Sequence, residues 1–144
     1  MDHAPTWLPW ALASAVFAAL TAIFAKVGLE GIDPDFATLI RTIVIATVLS
    51  GFVVAAGKWR DPLALPQRAL AFLVVSALAT GASWVCYFRA LKVGEASKVA
   101  PVDKLSVVLV AFFAVLFLGE RPAAREWLGI ALVALGVVVL SLRR

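Results

Sequence analysis

Phe36-Ala-Thr-Leu-Ile-Arg-Thr-Ile-Val-Ile-Ala-Thr-Val-Leu-Ser-Gly-Phe-Val-Val-Ala-Ala56 runs for 21 residues with one charge, Arg41. A helix rises about 1.5 Å per residue, so roughly 20 apolar residues cross a hydrocarbon core of about 30 Å. This stretch therefore predicts a membrane-spanning helix. Working outward, residues 7–25, 70–87, 99–118 and 127–142 predict four more, the last being the shortest. The expected fold is all-α, an integral membrane protein of five transmembrane helices. Five is odd, so the two ends of the chain are expected on opposite faces of the bilayer.

Composition agrees. The chain is 63% hydrophobic and only 15% charged, with a mean hydropathy of +1.01. A soluble bundle of 144 residues could not hide so much apolar surface, and the helices are apolar around most of their circumference. The net charge of +4 does not imply nucleic acid, because the basic residues stand singly at span ends, where lipid headgroups attract them. The first span lacks the basic leader of a cleaved signal peptide: Asp2 and His3 precede it. Cys86 is the sole cysteine, so no intramolecular disulfide can form.

Stop signals separate the spans. Gly28 or Gly31 suits a left-handed cap, and Pro34 suits a helix start. Residues 57–69 form the longest link, broken by Pro62 and Pro66; Gly94 ends the third helix and Gly119-Glu-Arg-Pro122 the fourth. No link is long enough for another domain, so residues 1–144 read as one membrane domain. Cations at the two faces nearly balance. Lys58, Arg60, Arg68, Arg121 and Arg125 share the face of the N-terminus. Lys26, Arg89, Lys92, Lys98, Arg143 and Arg144 share the other, with Arg41 and Lys104 set deeper. Orientation follows Lys and Arg, so this weak bias admits two readings: one orientation with the N-terminus outside, or insertion both ways.

Polar residues within spans are expensive, about 2.5–3.5 kcal/mol for a charge at a helix centre. Arg41, Asp103 and Lys104 are the candidates for a buried polar cluster at one end of a cavity. Adjacent helical residues diverge by about 100°, so Arg41 is expected to partner Asp103 better than Lys104 does. If Pro101 opens a helix, Asp103 instead offsets a helix dipole near its start. Ser76, Thr80, Ser83 and Tyr87 form a stripe bordered by Trp84. Trp10, Ser14, Phe17 and Thr21 form another. Such stripes serve either helix packing or a solute cavity lined by rings and hydroxyls. Gly129 and Gly136 share one face of the last span, a packing or dimer seam. No metal-ligand cluster and no nucleophile with a base is apparent, so neither an enzyme nor a cofactor is expected.

The run Tyr87-Phe-Arg-Ala-Leu-Lys-Val-Gly-Glu-Ala-Ser-Lys-Val-Ala-Pro101, continued by Leu118-Gly-Glu-Arg-Pro122 and by Gly129 and Gly136, resembles the EamA domain of the drug/metabolite transporter superfamily. Members usually fuse two five-helix units in opposite orientations and move small metabolites; this chain resembles one unit. The resemblance implies half of an inverted repeat, completed by an antiparallel, dual-topology homodimer working by alternating access in a bacterial inner membrane. In that reading Trp10, Ser14, Thr80, Trp84 and Tyr87 contact the solute. Arg41, Asp103 and Lys104 set a preference for anionic or zwitterionic solutes, and Gly94 and Pro101 let a gate bend. The glycine face of the last span is similar to the dimerising helix of small multidrug-resistance transporters. Those transporters carry a carboxylate in mid-first helix, and this first span has none. The alternatives are a subunit of a heteromeric transporter and a membrane scaffold without its own transport cycle.

Overall fold

The computed structural model of the chain describes residues 5–142. His3, Arg143 and Arg144 lie outside the described residues. The described residues contain helices and no strand: α1 (Leu8–Gly28), α2 (Pro34–Ala55), a 3-10 turn (Pro62–Ala64), α3 (Gln67–Val93), α4 (Ala96–Asp103), α5 (Leu105–Phe113), a π turn (Ala114–Leu118) and α6 (Ala124–Ser141). Five segments are long and apolar enough to cross a membrane: α1, α2, α3, the composite Ala96–Leu118, and α6. The protein is an all-helical, multi-pass integral membrane protein. Its chain divides into two compact units, Phe24–Val93 and a second one holding residues up to Ile23 and from Gly94 onward.

In the unit Phe24–Val93, Gly31 turns the chain between α1 and α2 with φ +70°, a left-handed conformation that suits glycine. Asp33 then caps α2, its Oδ1 accepting the N–H groups of Asp35 and Phe36 at 3.0 Å each. Pro34 occupies the first helical position, where its missing N–H costs nothing. α3 runs back antiparallel, because its last turn reaches the first turn of α2. Arg89 donates to both carboxylate oxygens of Asp35, Nε at 2.8 Å and Nη2 at 2.6 Å.

Two lysines at the same end exchange caps between α1 and α3. Lys26 of α1 donates to Leu91 O at 2.7 Å, while Lys92 of α3 donates to Leu29 O at 2.5 Å and Ile32 O at 2.9 Å. The last carbonyls of a helix lack intrahelical partners and carry the negative end of its dipole, so an ammonium there satisfies both needs. Leu29, Phe88 and Leu91 form the buried apolar floor beneath these bonds. This explains why α3 spans 27 residues and ends at Val93 rather than at Tyr87 as expected. Its last turns carry Arg89 and Lys92, whose charge reads as an exit from the membrane. Arg89 finds its acceptor on α2 and Lys92 in the turn between α1 and α2, so the helix continues to the stop at Gly94.

In the other unit, α6 packs against α4 and α5. The fourth span is not one continuous helix. Pro101 lies inside α4 rather than opening a helix, and the helix begins five residues earlier, at Ala96. Proline removes a donor and crowds the carbonyl four residues back. The chain answers with tight i→i−3 bonds at Lys104 N to Pro101 O and Val107 N to Lys104 O, both 3.0 Å. Asp103 therefore closes α4, two residues before α5 begins at Leu105. Downstream the span ends in its π turn and then at Gly119, φ +68°, whose successor Glu120 donates its backbone N–H to Ala114 O at 3.2 Å. The cap on α6 comes from Glu126, which accepts the Ala123 N–H at 2.6 Å.

Replacing Lys92 by Met keeps the apolar stem and removes both carbonyl bonds. We expect a loss of about 1–3 kcal/mol, the usual worth of hydrogen bonds to a charged group. Reversible unfolding in mixed micelles measures it. Gly119→Ala should cost about 1–2 kcal/mol for holding an L-residue in left-handed backbone.

Candidate functional site

Arg41 is the eighth residue of α2, about 10 Å along the axis from Pro34. That position lies within the span, about two turns from the start of the helix. The helix face it shares with Thr38 turns toward α3, and Thr38 is buried. α3 offers aromatic rings one turn apart. The guanidinium carbon of Arg41 lies 4.3 Å from the centre of the Trp84 ring and 5.2 Å from that of Phe88. A guanidinium is planar and weakly hydrated, so stacking on an indole face holds it well in an apolar setting. Trp84 and Tyr87 are half-buried, and Tyr87 meets Phe88 edge to face at 6.4 Å between ring centres.

The stack leaves a donor unsatisfied. Nη1 of Arg41 is buried and has no hydrogen-bond partner, the one such side-chain atom among the described residues. A buried donor without an acceptor costs about 1–3 kcal/mol, and more when charged. Hydroxyls nearby in sequence do not relieve it. Thr38 donates to Pro34 O and Thr42 to Thr38 O, each at 2.8 Å. Thr80 on α3 likewise donates to Ser76 O at 2.9 Å. These hydroxyl donors bond back along their own helices, so they do not tie helices together.

In the other unit, Asp103 and Lys104 pair across the break in the fourth span, Nζ to Oδ2 at 3.3 Å. This corrects the expectation that helical divergence would keep the two apart. That argument fixes only the directions in which the side chains leave the backbone, and the long, flexible stem of Lys104 brings its ammonium back to the neighbouring carboxylate. Trp10 is 80% exposed and Ser14 is exposed as well. Gly129 and Gly136 are exposed, and a Cβ added at either meets nothing within 4 Å.

The structure thus joins Arg41 with Trp84, and Asp103 with Lys104. Phe88 was missed among the site residues, although Trp84-x-x-x-Phe88 is a one-turn spacing visible in the sequence. Asp35 was missed as the partner of Arg89, and nothing at their 54-residue separation signals it.

Comparison with known proteins gives a consistent result. The model of the EamA-like transporter family matches residues 5–142. A Sinorhizobium protein described as an uncharacterized transporter in the cobO 3' region is 57% identical over 136 residues, 94% of this chain and 96% of that protein. An uncharacterized protein of Methanocaldococcus jannaschii is 27% identical over 89% of this chain and 90% of its own length. A Yersinia pestis protein named as a probable 4-amino-4-deoxy-L-arabinose-phosphoundecaprenol flippase subunit, ArnE, is 31% identical over 60% of this chain and 77% of its own. No solved structure matches.

A double-mutant cycle on Arg41→Gln and Trp84→Leu should return a coupling of about 0.5–2 kcal/mol, the range for a cation on a ring face. Additive losses in detergent unfolding would mean that the stack contributes nothing.

Proposed function

This chain belongs to the EamA-like transporter family, and on that premise we propose that it is one five-helix half of an alternating-access transporter of small solutes. The second half is another copy inserted the other way up. The observation that carries this reading is Arg41, a charge held within a span on two aromatic rings with one donor unsatisfied. Charges at such depth are costly and belong to solute pathways more often than to scaffolding. The length of the relatives supports a half-size unit, since the Sinorhizobium transporter is covered to 96% by this chain. The whole chain acts as one membrane domain, and its place is a bacterial inner membrane.

In this assembly the ring-and-hydroxyl lining comes from Trp10, Ser14, Thr80, Trp84 and Tyr87. Arg41 and the Asp103–Lys104 pair set charge preference. The backbone break after Pro101 and the junction at Gly94 between α3 and α4 supply bending. Open space over Gly129 and Gly136 supports a seam where another helix approaches closely. Catalysis has no role here. A heteromeric alternative has its own support, because the Yersinia relative is named a flippase subunit; a different five-helix protein would then fill the second half.

Three measurements test the proposal. Arg41→Ala and Asp103→Asn should each abolish solute uptake into proteoliposomes, or thermal stabilisation by the transported solute. Wild-type behaviour of both removes them from the site. With Cys86→Ala and a probe cysteine at the N-terminus, labelling from both sides of the membrane is expected for dual insertion. Gly136→Leu should leave the monomer folded and lower the dimer fraction at least about tenfold, a 1.4 kcal/mol change. A wild type that stays monomeric alone favours the heteromer.

A further inference from the structure

We infer that the solute group received at Arg41 is an oxyanion, a carboxylate or a phosphate ester, bound at the edge of the guanidinium while its face stays on Trp84. The inference rests on the proposed solute site and names the chemistry that this site takes.

The argument is an accounting of charge. Around the end of the helices where Arg41 lies, the other cations are occupied. Arg89 is held by both oxygens of Asp35, and Lys26 and Lys92 cap carbonyls. In the other unit Lys98 pairs with Glu95 at 3.0 Å and Lys104 with Asp103. Arg41 has rings instead. A ring face attracts the cation through its quadrupole, yet it accepts none of the in-plane N–H groups at the guanidinium edge. Those edge donors point away from the stacking axis, and Nη1 is the buried one, with no acceptor.

Each class of solute can be weighed against that geometry. A cationic solute is repelled. A neutral solute leaves the buried charge uncompensated. A zwitterion needs a carboxylate beside Arg41 for its positive end, and Asp35, in the first turn of the same helix, is committed to Arg89. An oxyanion alone supplies both the missing acceptor and the missing counter-charge. Carboxylates and phosphates match the two-pronged guanidinium edge better than a spherical halide does. The anion could arrive on a soluble metabolite or on a lipid headgroup, and the chemistry at Arg41 is the same.

The test uses the full chain in a neutral detergent at constant ionic strength, reading the unfolding midpoint. Acetate and inorganic phosphate probe soluble oxyanions, and micelles doped with phosphatidic acid probe a lipid-borne one. Chloride, tetramethylammonium and a neutral sugar are the comparators. We expect at least one oxyanion to raise the midpoint saturably by about 4 °C. The rise should vanish in Arg41→Gln, and its half-saturation should move at least about tenfold higher in Arg41→Lys. It should persist in Arg68→Gln, which removes a different arginine stacked on a ring, 6.0 Å from Phe72. Equal stabilisation by the comparators, no response to any oxyanion, or a rise that survives Arg41→Gln overturns the inference. If Arg41→Gln does not fold, the wild-type ligand series and Arg41→Lys decide. Transport of a cation or neutral solute that depends on Arg41 keeps the transport reading and ends this one. Oxyanion binding at Arg41 without transport of any solute does the reverse.

Discussion

Hydrocarbon accepts no hydrogen bonds, and this single constraint organises the molecule. Every polar group placed within a span must be satisfied by the chain itself. Threonine hydroxyls bond back to carbonyls one turn earlier. Lysines at the ends of α1 and α3 cap each other's last carbonyls. Proline in the fourth span removes one backbone donor, and tighter turns follow it. Against that background Arg41 stands out, because its aromatic support balances the charge only in part and leaves a donor open.

The same constraint separates two kinds of polar feature that look alike along the chain. Asp35 with Arg89, and Lys26 with Lys92, are construction: they lock α1, α2 and α3 at one end over Leu29, Phe88 and Leu91. Arg41 lies two helical turns deeper and is fixed in orientation but not saturated. A rigid clamp at the rim and an unsaturated cation below it form the arrangement a binding site needs, since the clamp holds the aromatic platform still while the ligand supplies the missing partner. Broad apolar surfaces on the remaining helices face lipid or another helical unit, as membership of a family of membrane transporters requires.

Much of this was legible before any coordinates. All five spans, the turn at Gly31, the start at Pro34 and the stops at Gly94 and Gly119 follow from apolar length and from glycine and proline chemistry. Three points were not. The six extra residues of α3 carry Arg89 and Lys92, and their charge reads as an exit from the membrane until their acceptors on α2 and in the α1–α2 turn are known. Pro101 suits a helix start, yet Ala96 to Ala100 already form helix before it. The pairing of Asp103 with Lys104 comes from the reach of the lysine stem, which an argument from side-chain directions alone leaves out.

Apolar length, charge spacing and punctuation were sufficient for the class of protein and the number of crossings, because in a bilayer those follow from backbone satisfaction alone. Partner choice was different. Asp35 to Arg89, the exchanged lysine caps and the stacking of Arg41 on Trp84 join residues dozens of positions apart. They arise from which helix faces meet, and no local pattern encodes that. The site's chemistry lives in those meetings: an arginine in a helix is only a costly charge until the fold lays it on a ring and leaves a donor at its edge without a partner.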